Sequence, residues 1–277
     1  MAITAQDVNK LRKMTGAGMM ECKKALTEAD GDFDKAIEIL RKKGQKVSDK
    51  RADRATAEGI VVIKINDAGS KGILVGLGCE TDFVAKNEEF QQLAKDIAEL
   101  AAKEEPADKD ALLASKLNKL TVQETITELV GKIGEKIDIT NFEVMEGEKV
   151  VPYVHSNGKI GVMVALKGVG SSDYDGAGKD VAMQIAAMKP VAVDKDDVPQ
   201  DIIDKELEIG REQAKAEGKP DNILDKIAQG KLNKYFKDHT LLNQPFVKDN
   251  SQTIAKYLDG VNKGMTVTKF SRVEIGA

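Results

Sequence analysis

The sequence predicts an α+β protein in which an N-terminal bundle of helices precedes a core of two related units with antiparallel sheets. Three observations support this fold class. The first fifty residues show only the helical spacing of apolar residues. Two strand-like runs, several helical patterns and a third strand-like run then follow in that order. The same succession recurs in the second half, where Gly161–Val164 resembles Gly72–Val75 at an offset of 89 residues.

Residues 1–45 are predicted to form a three-helix domain that resembles a ubiquitin-associated bundle. Thr4 and Asp7 form a capping box at the start of the first helix, and the second helix is predicted over Met19–Ala29. Asp32 can cap the third helix, which is predicted to end at Gly44. The face of the second helix that is predicted to point inward consists of Met19, Cys22, Ala25, Leu26 and Ala29.

Met20 does not fit this buried face, because it falls on the side of the second helix that carries Lys23 and Lys24. An exposed methionine is an adaptable contact for a partner. A singly exposed apolar residue without any role is equally common, and the sequence does not decide between the two. The charged residues 46–57 that follow the bundle are interpreted as a linker.

Residues 58–146 are predicted to form the first core unit, which begins with a hairpin of Ile60–Ile65 and Ile73–Cys79 and closes with the strand Ile137–Val144. Asp82 and Phe83 stand at the corner between the second strand and the next helix. Phe83 could cap the core there while Asp82 serves as an ordinary first-turn acid. Alternatively, the corner could present both side chains to a partner, as strand ends often do.

Residues 147–277 are predicted to form the second core unit, and Met265–Phe270 resembles Ile137–Phe142 at an offset of 128 residues. The offset therefore grows by 39 residues between the start and the end of the repeat, so an insertion of about this length is expected. Residues 199–238 contain two charged helical patterns broken by a Gly-Lys-Pro turn, which predicts an inserted helical hairpin of the coiled-coil type. Such a hairpin is either a surface excursion or an arm for dimerisation or partner binding.

Composition excludes several classes of function. The chain is 41% hydrophobic, enough for a folded core, and its net charge of −4 argues against nucleic-acid binding. No basic apolar leader opens the sequence, no apolar run approaches a membrane span, and two distant cysteines predict free thiols. We therefore expect a cytoplasmic protein without membrane contact.

The sequence shows no catalytic constellation and no metal site, so neither an enzymatic reaction nor a cofactor is expected. Its two histidines, His155 and His239, have no neighbouring ligand cluster. Gly176–Lys179 resembles a phosphate-binding loop, but Asp173 replaces its first glycine and Asp180 replaces its serine or threonine. His155 precedes a predicted turn, where it is either an ordinary loop histidine or a contact for a partner.

Four separated motifs carry a resemblance to the family of bacterial translation elongation factors Ts. They are T-G-A-G-M-M-E-C-K-K-A-L-T-E-A at Thr15–Ala29, T-D-F-V-A-K-N at Thr81–Asn87, K-I-G-V-M-V-A at Lys159–Ala165 and Q-P-F-V at Gln244–Val247. The resemblance covers essentially the whole chain. It implies a guanine nucleotide exchange factor that binds elongation factor Tu in its GDP-bound and nucleotide-free states. Some members carry a further C-terminal helical module, whose contacts are not expected of a chain that ends at Ala277.

The resemblance also implies which residues contact the partner. The corner that intrudes beside the partner's Mg²⁺ and phosphate site corresponds to Thr81, Asp82, Phe83 and Val84. The N-terminal contact with the partner's nucleotide-binding domain corresponds to Met19 and Met20. Contacts of the second core unit correspond to His155, Gly158, Gln244, Pro245, Phe246 and Val247. The helical hairpin could pair two such complexes into a dimer of heterodimers.

Two other classes of function compete with nucleotide exchange. An adaptor would bind peptide or ubiquitin-like ligands through the N-terminal bundle alone, and Phe83 would then have little effect. An enzyme would require a reactive site, and the sequence offers no nucleophile paired with a base. Both are weaker hypotheses than the exchange factor.

Overall fold

The computed structural model describes residues 3–277 as a mixture of helices and antiparallel strands, which confirms the predicted α+β class. The helices are α1 (Ala5–Thr15), α2 (Met19–Glu28), α3 (Phe33–Lys50), α4 (Asp82–Ala85), α5 (Glu88–Glu104), α6 (Lys109–Ala114), α7 (Val122–Ile133), α8 (Tyr174–Met188), α9 (Gln200–Ala216), α10 (Leu224–His239) and α11 (Ile254–Val261). The strands are β1 (Glu58–Ile65), β2 (Lys71–Cys79), β3 (Lys116–Leu117), β4 (Leu120–Thr121), β5 (Ile137–Glu146), β6 (Lys149–Val154), β7 (Ile160–Lys167), β8 (Pro245–Phe246), β9 (Asp249–Thr253) and β10 (Thr266–Glu274). None of these helices has the length and apolar character needed to cross a membrane.

The first three helices enclose a small apolar core of their own. The predicted capping box of Thr4 and Asp7 is present at the start of α1. The buried side chains of this core are Val8, Leu11, Cys22, Ala25, Leu26, Ala29 and Ala36. The prediction that Met19 faces inward is wrong, since its side chain is half exposed. Met19 is the first residue of α2, so it lies at the helix end before the buried stretch that begins at Cys22.

The prediction that the third helix ends at Gly44 is also wrong, because α3 continues to Lys50. Gly44 is buried where α3 crosses α7, and a Cβ atom added at Gly131 would lie only 2.8 Å from the Cα atom of Gly44. The glycine pair therefore permits close backbone contact between the two helices. The first residues of the predicted linker 46–57 are helical, and Val47 packs against the core of the first unit.

The first core unit is a three-stranded antiparallel sheet in the order β1-β2-β5, covered on one face by α5 and α7. The side chains of Ile73, Val75, Leu77 and Cys79 point to this face and are buried, as their alternation predicts. A cluster of apolar residues from α5, led by Phe90 and Ile97, fills the space above them.

The second core unit repeats the first at the level of strand register. Its sheet has the order β10-β7-β6, so in both units the second strand of a hairpin pairs with the strand that closes the unit. Val75 lies opposite Phe142 in the first sheet, and Val164 lies opposite Phe270 in the second. These pairs reproduce both sequence offsets, of 89 and 128 residues, and so confirm the internal repeat.

The inner faces of the two sheets pack against each other and form a third apolar cluster. Its buried members are Val61, Leu74, Met145, Val150, Met163, Ala165, Val273 and Ile275. Because each sheet contributes to this cluster, the two units share one continuous core.

The inserted segment forms two helices, α9 and α10, that pack side by side. The contact is built on small residues, since Gly210 lies against Ala228 and both are buried. Arg211 pairs with Asp225, and Lys231 pairs with Glu217 across the same contact.

Candidate functional site

The most exposed large apolar side chain in the described residues is that of Phe83, at 82%. It lies in α4, the four-residue helix that follows β2, and Thr81 caps this helix by accepting a hydrogen bond from the Val84 amide. Val84 and Ala85 turn inward and join the core of the first unit. The corner therefore anchors one side in the core and holds Phe83 outward, so Phe83 does not cap the core.

The corner is fixed by hydrogen bonds from a distant part of the chain. The Thr81 backbone amide and hydroxyl donate to the two carboxylate oxygens of Glu135, at 3.0 and 2.8 Å. The buried Cys79 thiol donates to the Thr81 carbonyl at 3.2 Å, and burial beside Glu135 and Glu58 raises the pKa of this thiol to about 12. These contacts restrain the backbone on which Phe83 stands.

Asp82 is exposed beside Phe83 and forms an ion pair with Lys86, with 2.7 Å between Oδ2 and Nζ. This hydrogen bond lowers the pKa of Asp82 below its ordinary value and raises that of Lys86. Asp82 is therefore a carboxylate throughout the neutral range. An apolar ring and a negative charge are presented next to each other on one turn.

A second exposed apolar feature lies in the N-terminal bundle. Met14, Met19 and Met20 are 56, 49 and 62% exposed around the turn between α1 and α2. Gly16 caps α1 in the left-handed conformation, at a φ of 67°, which a residue with a side chain rarely adopts. The prediction that Met20 is exposed is confirmed, and Met14, which no sequence pattern singled out, is exposed beside it.

His155 and Gly158 lie at the turn between β6 and β7, as predicted. The His155 ring nitrogen Nδ1 is 2.9 Å from the Tyr153 hydroxyl, which orients the exposed imidazole. The Gly158 carbonyl accepts a hydrogen bond from the Val61 amide of β1, at 2.8 Å. This turn therefore rests on the first core unit.

The four residues Gln244–Val247 have different environments. Gln244 is fully buried and accepts a hydrogen bond from Gln184, and Phe246 is buried and stacks on Tyr257. Pro245 is half-buried, and only Val247 is exposed, at 43%. Most of this motif thus holds the loop in place, and Val247 is the side chain available to a partner.

Sequence reasoning missed the residues that hold the Asp82–Phe83 corner. Glu135 follows the end of α7 and lies 54 positions from Thr81, so no local pattern links the two. Glu80 accepts hydrogen bonds from Arg51 and from the Lys136 amide, and these lower its pKa. Only the three-dimensional arrangement reveals these contacts.

The predicted contact residues lie on separate elements, and no hydrogen bond within residues 3–277 joins one group of them to another. In the same residues, no group of three potential ligands could hold a metal ion. The arrangement is chemically suited to contact with another macromolecule, since it presents apolar side chains and one carboxylate on restrained turns.

Comparison with known proteins identifies the family. The family model described as "Elongation factor TS" matches residues 80–277. "Elongation factor Ts" of Amoebophilus asiaticus is 57% identical over the full length of both chains, and that of Cytophaga hutchinsonii is 59% identical over 99% of each. "Elongation factor Ts" of Mycobacterium avium is 48% identical over 99% of this chain and 98% of its own. The chain therefore belongs to the elongation factor Ts family of translation elongation factors, as its motifs indicated.

Proposed function

We propose that the protein is a guanine nucleotide exchange factor that binds elongation factor Tu with GDP and promotes GDP release, so that GTP can bind during translation elongation. It would perform no chemistry of its own and would act in the cytoplasm, without nucleic acid. The observation that carries this proposal is the exposed Phe83 beside the ionised Asp82 on a restrained turn.

Exchange requires that the factor bind the nucleotide-free partner more tightly than the GDP-bound partner. The coupling is reciprocal, so tighter binding of the factor necessarily weakens binding of the nucleotide. A thousandfold faster release corresponds to about 4 kcal/mol of preferential stabilisation of the transition state. The residues of the corner have to supply a large share of this energy.

Phe83 is adequate in size for that role. Burial of a phenylalanine side chain contributes roughly 2–3 kcal/mol, and Phe83 is still almost fully available for burial in a partner. The Thr81–Glu135 hydrogen bonds restrain the turn in advance, which reduces the entropy lost on binding.

Asp82 would act on the metal ion of the partner. Mg²⁺ neutralises nucleotide phosphates and holds a strict octahedral shell. A carboxylate placed beside this shell competes for the ion or repels the phosphate, and either effect weakens GDP binding. The ion pair with Lys86 holds Asp82 in its charged form.

The remaining contacts are proposed at Met19 and Met20 of the N-terminal domain and at His155, Gly158 and Val247 of the second core unit. Gln244, Pro245 and Phe246 would support Val247 from within. In this proposal the N-terminal domain, residues 1–45, and the core unit 58–146 provide separate contacts to one partner, and the core unit 147–277 provides a third.

Stopped-flow fluorescence tests the proposal directly. Elongation factor Tu loaded with a fluorescent GDP analogue is mixed with excess GDP, alone or with this protein or its Phe83→Ala and Asp82→Ala variants. Strong acceleration by the wild-type protein that falls in both variants is the expected result. Absence of acceleration with a cognate partner would refute exchange activity.

A matched control is available in Val144→Ala, since Val144 is exposed on β5 away from the corner. This variant should accelerate release as the wild-type protein does. Acceleration that is lost equally in Val144→Ala would show that the Phe83 effect is not specific to the corner.

A further inference from the structure

We infer that Arg51, Glu80 and Lys136 form a positioning clasp, which fixes the N-terminal bundle relative to the Asp82–Phe83 corner. The inference rests on the proposed exchange function, because it assigns these residues the task of holding two partner-binding surfaces in one geometry. None of the three residues is proposed to touch the partner.

The clasp crosses between the bundle and the core in both directions. Arg51, which directly follows α3, donates to Glu80 Oε1 at 2.6 Å, and the Lys136 amide donates to the same oxygen at 2.7 Å. The Lys136 ammonium in turn donates to the carbonyls of Ala52 and Arg54, at 2.6 and 2.9 Å. Arg51, at the end of the bundle, thus binds an acceptor of the core, and Lys136 of the core binds two carbonyl groups that follow the bundle.

The clasp lies directly beside the corner. Glu80 precedes Thr81, and Lys136 follows Glu135, the residue that binds Thr81. The Glu80 side chain is only 16% exposed, so solvent competes weakly for these hydrogen bonds. A displacement of the end of α3 is therefore transmitted to the two residues that flank the anchoring point of the corner.

The contact between bundle and core combines close packing with a cavity. A cavity of about 450 Å³ lies between them, lined by residues of the α1–α2 turn, α3 and α7. Close packing at this seam includes the crossing at Gly44 and Gly131 and the contact of Val47 with the core of the first unit, whereas the pair Arg41–Glu128 is exposed. The cavity leaves room for the bundle to tilt about these contacts, and the clasp restrains this motion by a further attachment beyond Val47.

A fixed orientation matters because one partner has to meet both surfaces at once. Two binding surfaces joined rigidly in the right geometry bind far more tightly than the same surfaces joined flexibly, because the second contact then forms at a higher effective concentration. The clasp should therefore strengthen binding of the partner only when the methionines of the bundle contact that partner.

The test uses the full-length Arg51→Met/Lys136→Met double variant, which removes both cations and leaves Glu135 and Thr81 intact. Lys50→Met is the matched control, since Lys50 is an exposed cation at the end of the same helix. Spin labels at Glu28→Cys on α2 and Glu88→Cys on α5 report the distance between bundle and core by pulsed electron resonance. Both sites are exposed, whereas the native Cys22 and Cys79 are buried.

We expect a narrow distance distribution in the wild-type and Lys50→Met proteins and a clearly broader one in the double variant. An unchanged distribution in the double variant would overturn the clasp. This measurement needs no partner, so it distinguishes failure of the clasp from failure of the proposed exchange function.

Stopped-flow exchange then tests the consequence for function. The double variant should need about tenfold more protein for half-maximal acceleration of GDP release, and Lys50→Met should not. In a Met20→Ala background the same double substitution should cost less than twofold, because the contact that depends on orientation is already absent. An equal cost in both backgrounds would overturn the positioning role, since a general loss of structure would act in either.

Discussion

At the scale of single residues, Asp82 and Phe83 depend on the fold in different ways. Phe83 is held outward only by the backbone of its turn, whereas the charge of Asp82 is also stabilised by Lys86. The hydrogen bond from Lys86 lowers the pKa of Asp82, so protonation begins only below its usual range near pH 4. The carboxylate is therefore constant at all pH values where a translation factor works.

Asp82→Asn should slow GDP release about tenfold relative to the wild-type protein, because the amide keeps the shape of the side chain and removes its charge. The ratio of the two rates should stay constant between pH 5.5 and 8, since Asp82 does not titrate in that range. Stopped-flow release measured across these pH values checks both statements. A ratio that shrinks towards pH 5.5 would show that Asp82 is protonated there and that its pKa is raised in the complex.

Thr81→Val should weaken exchange although Thr81 need not touch the partner. Valine has the shape of threonine but lacks the hydroxyl that donates to Glu135 and caps α4. We expect a loss of about 1–2 kcal/mol in the free energy of unfolding and a several-fold slower release of GDP.

Thr81→Ser is the matched control, because serine retains the hydroxyl. Urea unfolding and stopped-flow release should both place it near the wild-type protein. If Thr81→Val stayed near the wild-type protein and Thr81→Ser did not, the methyl group and not the hydrogen bond to Glu135 would hold the corner.

The exposure of a side chain can be predicted from the sequence where it depends only on the residue's place within its own helix or strand. The helical period separated Met20 from the buried face of α2, and the structure agrees. It failed for Met19, because Met19 is the first residue of α2 and lies before the buried stretch of that helix. The resemblance implies a partner contact at Gln244, which stays a prediction, and in the structure Gln184 and the Asp238 carbonyl hold this side chain inside the protein.

At the scale of elements, two glycines of the helical hairpin have opposite environments. A Cβ atom at Gly210 in α9 would lie 3.0 Å from the Cα atom of Ala228, whereas one at Gly230 in α10 would meet nothing within 4 Å. Gly210→Ala should therefore force α9 and α10 apart and cost roughly 1–3 kcal/mol. Gly230→Ala should stabilise α10 by about 1 kcal/mol, because alanine favours the helix.

Hydrogen exchange of the α9 and α10 amides measures both effects in the hairpin itself. Protection should fall in Gly210→Ala and rise in Gly230→Ala, while the amides of β2 and β7 remain unchanged. Equal changes in the two variants would mean that helix propensity and not the close contact with Ala228 governs the hairpin.

Most helices and strands lie where the sequence pattern predicts them, and the different end of α3 has a physical cause. Glycine is common just after the last turn of a helix, so the sequence predicts that α3 ends at Gly44. Here the residue lies within α3 because the absence of a side chain lets α7 approach at Gly131. Such contacts between distant segments carry no local signal, which is also why the Arg51–Glu80 pair could not be predicted.

At the scale of the whole molecule, the internal repeat explains how the two sheets fit together. Gly72 and Gly161 are equivalent positions of the repeat, and so are Leu74 and Met163. The space above Gly72 is filled by Met163 and Val150 of the second unit together with Ile65, and the space above Gly161 is filled by Leu74 and Val61 of the first unit. In each unit, a large apolar side chain of the other unit therefore packs over a glycine. This reciprocal packing holds the two units together.

Gly161→Ala should destabilise the whole core and not one unit alone. A Cβ atom at this position would clash with Cγ1 of Val61, so the Val61 side chain or the sheets have to shift. We expect a loss of roughly 1–3 kcal/mol in the free energy of unfolding, with one urea transition for both units because their core is shared. Val61→Ala alone should also destabilise the protein by leaving a cavity.

The double variant Gly161→Ala/Val61→Ala should be more stable than the sum of the two losses predicts. Val61→Ala removes the methyl groups that clash with the new Cβ atom at position 161, and that Cβ atom fills part of the cavity that Val61→Ala leaves. Residues in direct contact commonly show such coupling, of about 0.5–3 kcal/mol. Strict additivity would mean that Gly161 does not receive Val61 in solution. Two separate urea transitions in Gly161→Ala would instead show that the units can unfold independently, and that the core between the sheets does not unite them.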